Sequence, residues 1–504
     1  MSTLMEIPEI QVVSPQPAVM PQVSLNSIMQ TANETMQTTD LDKIEATTTT
    51  QTENSKEMFS FENSSFIMEE DAKSGELPPL TYVDFMPRCL GRVMEESEPQ
   101  FADFKSVMDQ TNQWLESMPQ YAVFRCETIT KKLQRGDYKL DNDAVMSHHS
   151  SNGDNTFIRG VRLWLMPRDD PTSPTQKLSY MTVLPDHEDP KVYGKMNGLI
   201  SSATFRMTVN RVMSQFDSLP TSVEKLNRHL MTRPIPGKLL SVEVLSQMIS
   251  QSLKASSPNT EVTCWSECGK NNRLYVNALR VFYVVGESAF ESIGMHDTVP
   301  DIVQNSDGFA VKVKFAPFNT VVSQASRWLK DQEGLRVISI QSPYVKCDRL
   351  GNGAVSVSSG QAGYVELTNC DSQFVRIMRV FYTKDKKVSS DPLTLSSRLF
   401  VPVRKFDTGR DFEGFSNTIQ RVINWLNLTK SPVLSVETVQ YQIHPDSWGS
   451  GVQENKVDMV NSHSNGRYYL TCVRLYFPVM FSEPPPEMLK TTDEEEVGWG
   501  CVVQ

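Results

Sequence analysis

A pattern of apolar residues that occurs four times constrains the fold of this 504-residue chain more than any other feature. In each copy the apolar positions recur at steps of three or four residues, which places their side chains on one face of an α-helix. The copies are Phe412, Phe415, Ile419, Val422, Trp425 and Leu426; Phe315, Phe318, Val322, Ala325, Trp328 and Leu329; Phe101, Phe104, Met108, Thr111, Trp114 and Leu115; and Phe216, Leu219, Val223, Leu226, His229 and Leu230. The sequence therefore predicts four amphipathic helices, of which the one at Phe216 is the most diverged.

Each predicted helix ends at a Pro or Gly and is followed by two strand-like segments. The first of these segments lies at 124–128, 240–244, 338–342 and 434–438, and the second at 161–165, 279–283, 378–382 and 473–477. A further strand is predicted before each helix, at 82–85, 205–209, 311–315 and 400–403. We therefore predict an α+β fold of four tandem β-α-β-β repeats with small antiparallel sheets. Because one helix and three strands form a thin core, we expect the repeats to pack in pairs.

These elements divide the chain into six segments. A disordered N-terminal arm is predicted for residues 1–78, because this segment is rich in Thr, Gln and Ser and has little apolar surface to bury. The repeats occupy residues 79–168, 169–287, 288–384 and 385–482. Residues 483–504 form an acidic tail.

Three columns of residues recur at fixed positions in the paired strands. They are the basic column Arg162, Arg280, Arg379 and Arg474; the acceptor column Glu127, Glu243, Gln341 and Glu437; and the aromatic column Trp164, Phe282, Phe381 and Tyr476. An amide such as Gln341 accepts a hydrogen bond from an arginine but performs no acid–base chemistry. We therefore predict that the basic and acceptor columns hydrogen-bond to each other structurally. The aromatic column is expected to pack between repeats.

The sequence contains no pattern that favours a catalytic, cofactor or metal site. No phosphate-binding loop or nucleophile elbow is present. Cys264 and Cys268 have metal-compatible spacing but no second Cys or His pair nearby. His148 and His149 fall in a polar segment between strands, where we expect solvated side chains. The formal charge of −11 argues against a nucleic-acid partner. We predict a protein that is not an enzyme and needs no cofactor.

The last four residues, Cys501-Val502-Val503-Gln504, resemble the C-a-a-X box that protein prenyltransferases recognise. A terminal Gln indicates farnesylation of Cys501. The residues before it, including Asp493 and Glu494, are acidic, so they do not supply the polybasic second signal for stable membrane attachment. The N-terminus lacks a secretory signal. We therefore predict a cytoplasmic protein whose lipidated C-terminus associates reversibly with membranes.

Three functional hypotheses follow. The first is a farnesylated, non-enzymatic adaptor or scaffold that presents its repeats to protein partners at a membrane. The second is a protein that binds a hydrophobic small molecule or lipid between helix and sheet, where concave apolar sites form. The third is an enzyme of a kind that the sequence does not reveal.

Overall fold

The computed structural model describes fifteen segments of the chain, all within one compact unit. They are residues 64–65, 77–91, 99–134, 140–150, 154–189, 213–249, 259–268, 273–304, 313–349, 355–366, 371–384, 393–405, 411–443, 452–461 and 466–489. Most of the predicted N-terminal arm, and Cys501 with the end of the acidic tail, lie outside these residues.

Four α-helices occur within the described ranges, one in each predicted apolar stripe. They are α1 (Phe104–Ser117), α2 (Leu219–Thr232), α3 (Phe318–Lys330) and α4 (Phe415–Thr429). Asp103 and Ser218 cap the first two helices, because their side-chain oxygens accept hydrogen bonds from backbone N–H groups in the first turn. Most stripe residues within each helix are buried on one face, as a period of 3.6 residues requires.

The strands are mostly antiparallel neighbours in several small sheets, so the chain has a mixed α+β fold. They are β1 (Ser64–Ser65), β2 (Thr81–Phe85), β3 (Cys89–Gly91), β4 (Gln100–Phe101), β5 (Tyr121–Lys132), β6 (Met146–His149), β7 (Asp154–Pro167), β8 (Leu178–Val183), β9 (Gly237–Met248), β10 (Cys264–Cys268), β11 (Arg273–Val285), β12 (Gly294–Thr298), β13 (Ile302–Gln304), β14 (Lys314–Phe315), β15 (Leu335–Gln341), β16 (Tyr344–Arg349), β17 (Val355–Val357), β18 (Gly363–Glu366), β19 (Ser372–Arg376), β20 (Met378–Lys384), β21 (Ser396–Phe400), β22 (Ser435–Ile443), β23 (Asp458–Asn461) and β24 (Arg467–Phe477). A short 3-10 helix, Pro486–Met488, follows them.

Each helix belongs to a unit of three strands with one pairing scheme. Unit 1 contains α1 with β2, β5 and β7; unit 2 contains α2 with β8, β9 and β11; unit 3 contains α3 with β12, β15 and β20; and unit 4 contains α4 with β21, β22 and β24. In every unit the last strand is central and pairs antiparallel with both other strands. In unit 3 the two long strands are broken at Pro343 and Ile377 and continue as β16 and β19.

The segments that connect the last two strands of each unit cross to another unit and pair there. Strand β10 leaves unit 2 and pairs with β7 of unit 1, β18 leaves unit 3 and pairs with β11, and β23 leaves unit 4 and pairs with β19. Strand β6 leaves unit 1 and pairs with β24 of unit 4. The exchange therefore passes through all four units and returns to the first, and the expected packing in pairs is wrong.

The same connecting segments also meet the helix N-termini of the unit they enter. The backbone N–H groups of Phe104, Leu219, Phe318 and Phe415 donate to the carbonyls of Glu261, Gly360, Asn455 and Asp143 at 2.8–3.0 Å. Each bond satisfies a donor that the first turn of an α-helix leaves without an intrahelical partner.

Some sequence expectations for these segments are corrected by the structure. His148 and His149 lie in the exchanged strand β6, where His149 is half-buried against Phe157 and Tyr469. The strand expected at 205–209 lies outside the described residues, and β8 fills that place in unit 2. In unit 3 the place is filled by β12, whereas residues 314–315 pair in a separate hairpin. Strands β6, β8 and β12 are short and pair with strands distant in sequence, so local sequence patterns did not identify them.

The aromatic column packs between units, as the sequence predicts. Trp164 enters the core around α4, Phe282 the core around α1, Phe381 the core around α2, and Tyr476 the core around α3. All four side chains are fully buried. Each helix therefore covers its own sheet and one aromatic residue of another unit.

The tryptophans of the helical stripes are buried to different degrees. Trp425 is fully buried and contacts Phe400, Phe477 and Phe481, with ring centroids 5.2–5.9 Å apart. Trp114 and Trp328 are half-buried, against Phe85 and His296 respectively. The core position is thus confirmed for Trp425 and holds in part for the other two.

We expect Trp425→Ala to lower the free energy of unfolding by about 3–5 kcal/mol, because it removes a large, fully buried ring. Denaturant unfolding followed by circular dichroism measures this change. Trp114→Ala is the matched control and should cost clearly less, since part of that indole already contacts solvent. Equal losses in the two variants would contradict this account of the core.

Candidate functional site

The strands that follow the four helices, β5, β9, β15 and β22, meet side by side through one repeated hydrogen bond. A carboxylate or amide oxygen of the acceptor column accepts a backbone N–H from a strand of another unit. The four bonds are Thr128 N to Glu243 Oε2 (3.0 Å), Val244 N to Gln341 Oε1 (2.9 Å), Ser342 N to Glu437 Oε2 (2.7 Å) and Thr438 N to Glu127 Oε2 (3.1 Å). Because each unit both donates and accepts, the bonds form a closed circle. We call these four acceptors the acceptor ring.

A second set of polar side chains lies two residues earlier on the same strands, and Ser435, its member in unit 4, accepts hydrogen bonds from Arg125 and from Ile340 N. Ser241 Oγ donates to the Cys126 carbonyl and Ser339 Oγ to the Val242 carbonyl, both at 2.5 Å. Arg125 occupies the corresponding position in unit 1 and donates to the Ile340 and Val436 carbonyls. The inner faces of these strands are thus held together by polar groups.

The basic column has the predicted strand register, but its hydrogen bonds differ from the prediction. Each arginine lies directly opposite its acceptor-column residue on the neighbouring strand. Arg162 nevertheless makes a bidentate pair with Asp84 at 2.6 and 2.6 Å, and Arg379 makes one with Asp297 at 2.7 and 2.7 Å. A bidentate carboxylate suits the planar guanidinium better than a carboxylate already engaged by a backbone N–H. The expected direct bond between the two columns is therefore not the one that forms.

The remaining two arginines bond to hydroxyl and carbonyl groups. Arg280 donates to Thr182, Thr128 and the Thr260 carbonyl, each at 3.1 Å. Arg474 donates to the hydroxyls of Ser397 and Tyr441. All four arginines are almost fully buried and have structural partners, which agrees with a role in folding.

The acceptor ring is not uniform, because the aromatic residue beside each acceptor differs. Trp164 donates from its indole to Glu127 at 2.9 Å, and Tyr476 donates from its hydroxyl to Glu437 at 2.7 Å. Phe282 stands in the same place beside Glu243 and has no donor, so Glu243 Oε1 is buried without a hydrogen-bond partner in the described part of the chain. Burial raises the pKa of Glu243, with smaller opposing contributions from Arg280 and Thr128.

A cavity of about 520 Å³ lies between the four units beside the acceptor ring. We call it the axial cavity. Its basic lining residues are Lys131, Lys132, Arg159, Arg162, Arg273, Arg376 and Arg467. Its acidic lining residues are Asp141, Glu267, Glu366 and Glu437. Aromatic rings, among them Trp265, Tyr275, Tyr344 and Tyr364, complete the wall. The site is therefore polar and shared by all units, unlike the apolar site between helix and sheet that the sequence suggested.

Part of this charge is neutralised within the wall. Arg273 contacts Glu267 at 2.9 Å and Glu366 at 3.0 Å. Lys131 contacts Asp84 at 3.1 Å, and the two cations beside Asp84 hold the pKa of that carboxyl below its ordinary value despite the opposing effect of burial. Burial lowers the pKa of His149 to about 3, so its imidazole is neutral near pH 7. His149 therefore does not add to the positive charge.

The residues described offer no arrangement that suggests a catalytic centre. Burial raises the pKa values of the Cys126, Cys347 and Cys472 thiols, so these groups remain protonated and poorly nucleophilic. Among the residues that the structure places, no three His, Cys, Asp or Glu side chains are grouped as metal ligands would be. Cys501, the predicted lipidation site, lies outside the described residues.

Sequence reasoning missed the buried arginines of the axial cavity. Arg159 and Arg376 precede basic-column arginines by three residues, so the sequence holds the pair Arg-x-x-Arg in units 1 and 3 but not in units 2 and 4. The sequence therefore contained a signal for these arginines, namely a second arginine that only two of the four units carry. Only the strand pairing shows that both residues approach one cavity.

Comparison with known proteins gives this chain no relatives, since no protein-family model, curated protein or solved structure matches it. Among the helices within the described ranges, none has both the length and the apolarity needed to cross a membrane.

We expect Glu243→Gln to make the protein more stable near neutral pH. The folded pKa of Glu243 is raised, so its favourable contribution is present below the unfolded pKa and is lost as pH rises through the folded pKa. Gln, which the chain already uses at Gln341, keeps the acceptor for Thr128 N and removes this loss. The gain should be larger at pH 8 than at pH 5, because only the ionised carboxylate carries the cost of burial.

Urea unfolding of wild type and variant at pH 5 and pH 8 measures this effect. Glu437→Gln is the matched control, and we expect no gain from it because Ser342 and Tyr476 hydroxyls already bond that carboxylate. If the stability of Glu243→Gln changed with pH as that of wild type does, the Glu243 carboxyl would not be the cause of the stability lost between pH 5 and pH 8.

Proposed function

We propose that this protein is a farnesylated, non-enzymatic scaffold whose four units are tandem repeats arranged in a closed circle. Residues 79–168, 169–287, 288–384 and 385–482 are the proposed repeats. The circle presents outer surfaces from each unit to protein partners, and the C-terminal lipid brings it reversibly to membranes.

The observation that carries the proposal is the closed exchange of strands and hydrogen bonds. Each unit gives a strand to one neighbour and receives a strand from the other. The acceptor ring follows the same circular order. Four units that share this scheme at corresponding positions are typical of internal duplication.

The hydrogen bonds of the basic and acceptor columns support the proposed absence of catalysis. Arg162, Arg280, Arg379 and Arg474 are buried and bonded to structural partners in their own and neighbouring units. Three acceptor-column residues likewise accept backbone N–H groups as carboxylates and the fourth as an amide. Groups that hold units together in this way are not free to transfer protons or bind a reacting atom.

Large apolar side chains are exposed on the outer surface, where they could contact protein partners. Met231 of α2 is exposed by 74%, Phe290 between β11 and β12 by 77%, and Met480 beyond β24 by 70%. Phe290 also has a positive φ of 51°, a conformation that bulky residues rarely adopt. Large side chains held in solvent in this way are candidates for contact with another protein.

The position of the lipid is compatible with this arrangement. The described chain ends at Leu489, which packs against the core of unit 4. Residues 490–500 separate Leu489 from Cys501, a tether that spans at most about 40 Å when extended. A farnesyl group on Cys501 therefore has enough chain to reach a membrane while the folded units remain outside it.

We expect Cys501→Ser to move the protein from a partly membrane-bound to a wholly soluble fraction. A single lipid chain without a basic second signal gives marginal, reversible binding, so its loss should leave no membrane-bound pool. Fractionation of cells that express wild type and variant at equal levels measures the distribution. Mass spectrometry of the C-terminal peptide should show farnesyl on Cys501 in wild type, and an unmodified peptide would contradict the proposal.

Gln504→Leu provides a matched test of the same box. Leu at this position favours geranylgeranyl, which is five carbons longer than farnesyl. Each buried CH₂ contributes ~0.8 kcal/mol, so this variant should be retained on membranes more strongly than wild type. Affinity purification of wild type and Cys501→Ser then separates partners: those that both forms retain bind the folded units, and those that only wild type retains depend on the lipid.

A second candidate function is the binding of a small molecule, and the axial cavity favours it. The cavity differs in place and polarity from the helix–sheet site expected from sequence. Its chemistry leads to the following inference.

A further inference from the structure

We propose that the axial cavity is a binding site for a small organic anion that combines a phosphate or carboxylate head with a flat apolar ring. This function goes beyond the scaffold role and does not depend on the lipid at Cys501. Five features of the cavity carry it: its volume, two buried arginines without carboxylate partners, its excess of positive charge, its stacked aromatic wall, and its construction from all four units.

The volume fits a small molecule with a ring body. At about 520 Å³ the cavity lies within the usual range of ligand sites, roughly 300–1,000 Å³. A single tetrahedral inorganic ion would fill only a small part of it. A ligand that fills the cavity therefore needs a body as well as a charged head.

Arg159 is the first of the two arginines without a carboxylate partner. Its side chain is 3% exposed, and it donates to Gln247 Oε1 at 2.5 Å and to the Ser246 carbonyl at 3.3 Å. Its Nε has no hydrogen-bond partner among the described residues. Burial lowers the pKa of Arg159 to about 9, and nearby Arg280 contributes in the same direction. The guanidinium is therefore a buried cation bonded only to neutral groups.

Arg376 is the second. It is 1% exposed and lies between the rings of Tyr344 and Tyr441, at 4.0 and 4.3 Å from their centroids. Its guanidinium donates to the carbonyls of Ser342 at 2.8 Å and Gln440 at 2.6 Å. Its Nε also has no partner within the described ranges.

Glu243 acts on Arg159 and Glu437 on Arg376 electrostatically, but neither carboxyl bonds to these guanidinium groups in the described residues. A buried cation without such a bond is costly, and a bound anion reduces that cost. Three cations of the wall show the contrast, since Lys131, Arg162 and Arg273 contact carboxylates. Seven basic and four acidic side chains line the cavity. The buried Asp84 behind the wall contacts Lys131 and Arg162, which leaves an excess of two positive charges.

The aromatic side chains of the cavity wall are the reason to expect a flat ring in the ligand. Trp265 lies 4.7 Å from the Arg159 guanidinium and stacks on Phe157 at 5.6 Å. Tyr275 and Tyr364 stack at 4.9 Å on the same wall. Flat aromatic faces beside a cation accept a planar ring whose anionic substituent points to the arginine.

The test uses purified full-length Cys501→Ser protein, so that prenylation does not vary, with phenyl phosphate as the probe in isothermal titration calorimetry. Inorganic phosphate and benzyl alcohol are the head-only and ring-only probes. We expect phenyl phosphate to bind with one site per chain and at least tenfold more tightly than either partial probe. Affinity should fall as salt concentration rises, since the attraction is electrostatic.

Arg159→Met and Arg376→Met, made separately, should each weaken phenyl phosphate binding at least tenfold. Arg398→Met is the matched control, because Arg398 also stacks on aromatic rings, at 4.6 Å from Phe400 and 5.1 Å from Trp425, but is not among the residues that line the cavity. Its affinity should equal that of the parent protein. Should Arg159→Met fail to fold, Arg159→Lys replaces it and should bind more tightly than Arg376→Met, because it keeps the charge.

The proposal is overturned if the parent protein shows no phenyl phosphate binding at millimolar concentration. It is equally overturned if inorganic phosphate or benzyl alcohol binds as tightly, or if the folded Arg159 and Arg376 variants bind as Arg398→Met does. None of these outcomes bears on the membrane tether, which the Cys501→Ser fractionation tests separately.

Discussion

One hydrogen bond, repeated four times, supports the rest of this structure: a side-chain oxygen of one unit accepts a backbone N–H from the next. A strand at the edge of a small sheet exposes donors that otherwise need water or an additional strand. Glu127, Glu243, Gln341 and Glu437 satisfy one such donor each without requiring a continuous sheet. The four sheets therefore meet without forming one continuous sheet, and the space beside the ring is the axial cavity.

The same circular order extends from hydrogen bonds to strands and cores. Strands β6, β10, β18 and β23 each pair in a unit other than their own. The aromatic column then fills the helix–sheet core of that neighbour. Because a small unit buries too little apolar surface to be stable alone, sharing cores stabilises all four together. We infer that the units unfold cooperatively, since removing one deprives the same neighbour of both a strand and a core residue.

The four units differ at a few aromatic and arginine positions, and these differences determine the charge around the axial cavity. Phe282 in place of a Trp or Tyr leaves one carboxyl oxygen of Glu243 without a hydrogen-bond partner among the described residues, and burial raises the pKa of this group. Arg159 and Arg376 appear in only two units, so the wall of the cavity is positive on some sides and neutralised on others. We propose that this uneven wall distinguishes the charged end of a ligand from its ring. This asymmetry, and not the repeated pattern, is the basis of the proposed binding function.

The sequence by itself determined the four helices, the strands that follow them and the register that sets Arg162 opposite Glu127, because these depend on local periodicity and on side-chain chemistry at fixed spacing. It also showed that Gln341 in the acceptor column is incompatible with acid–base catalysis there. Only the tertiary structure decided that His148 and His149 form a paired strand, that Asp84 takes the bond expected of Glu127, and that Arg159 and Arg376 line one cavity. Those outcomes rest on partners distant in sequence, such as unit 4 for β6. The four residues of β6, one Met and three polar residues, carry no local signal that identifies a strand whose hydrogen bonds are supplied by another unit.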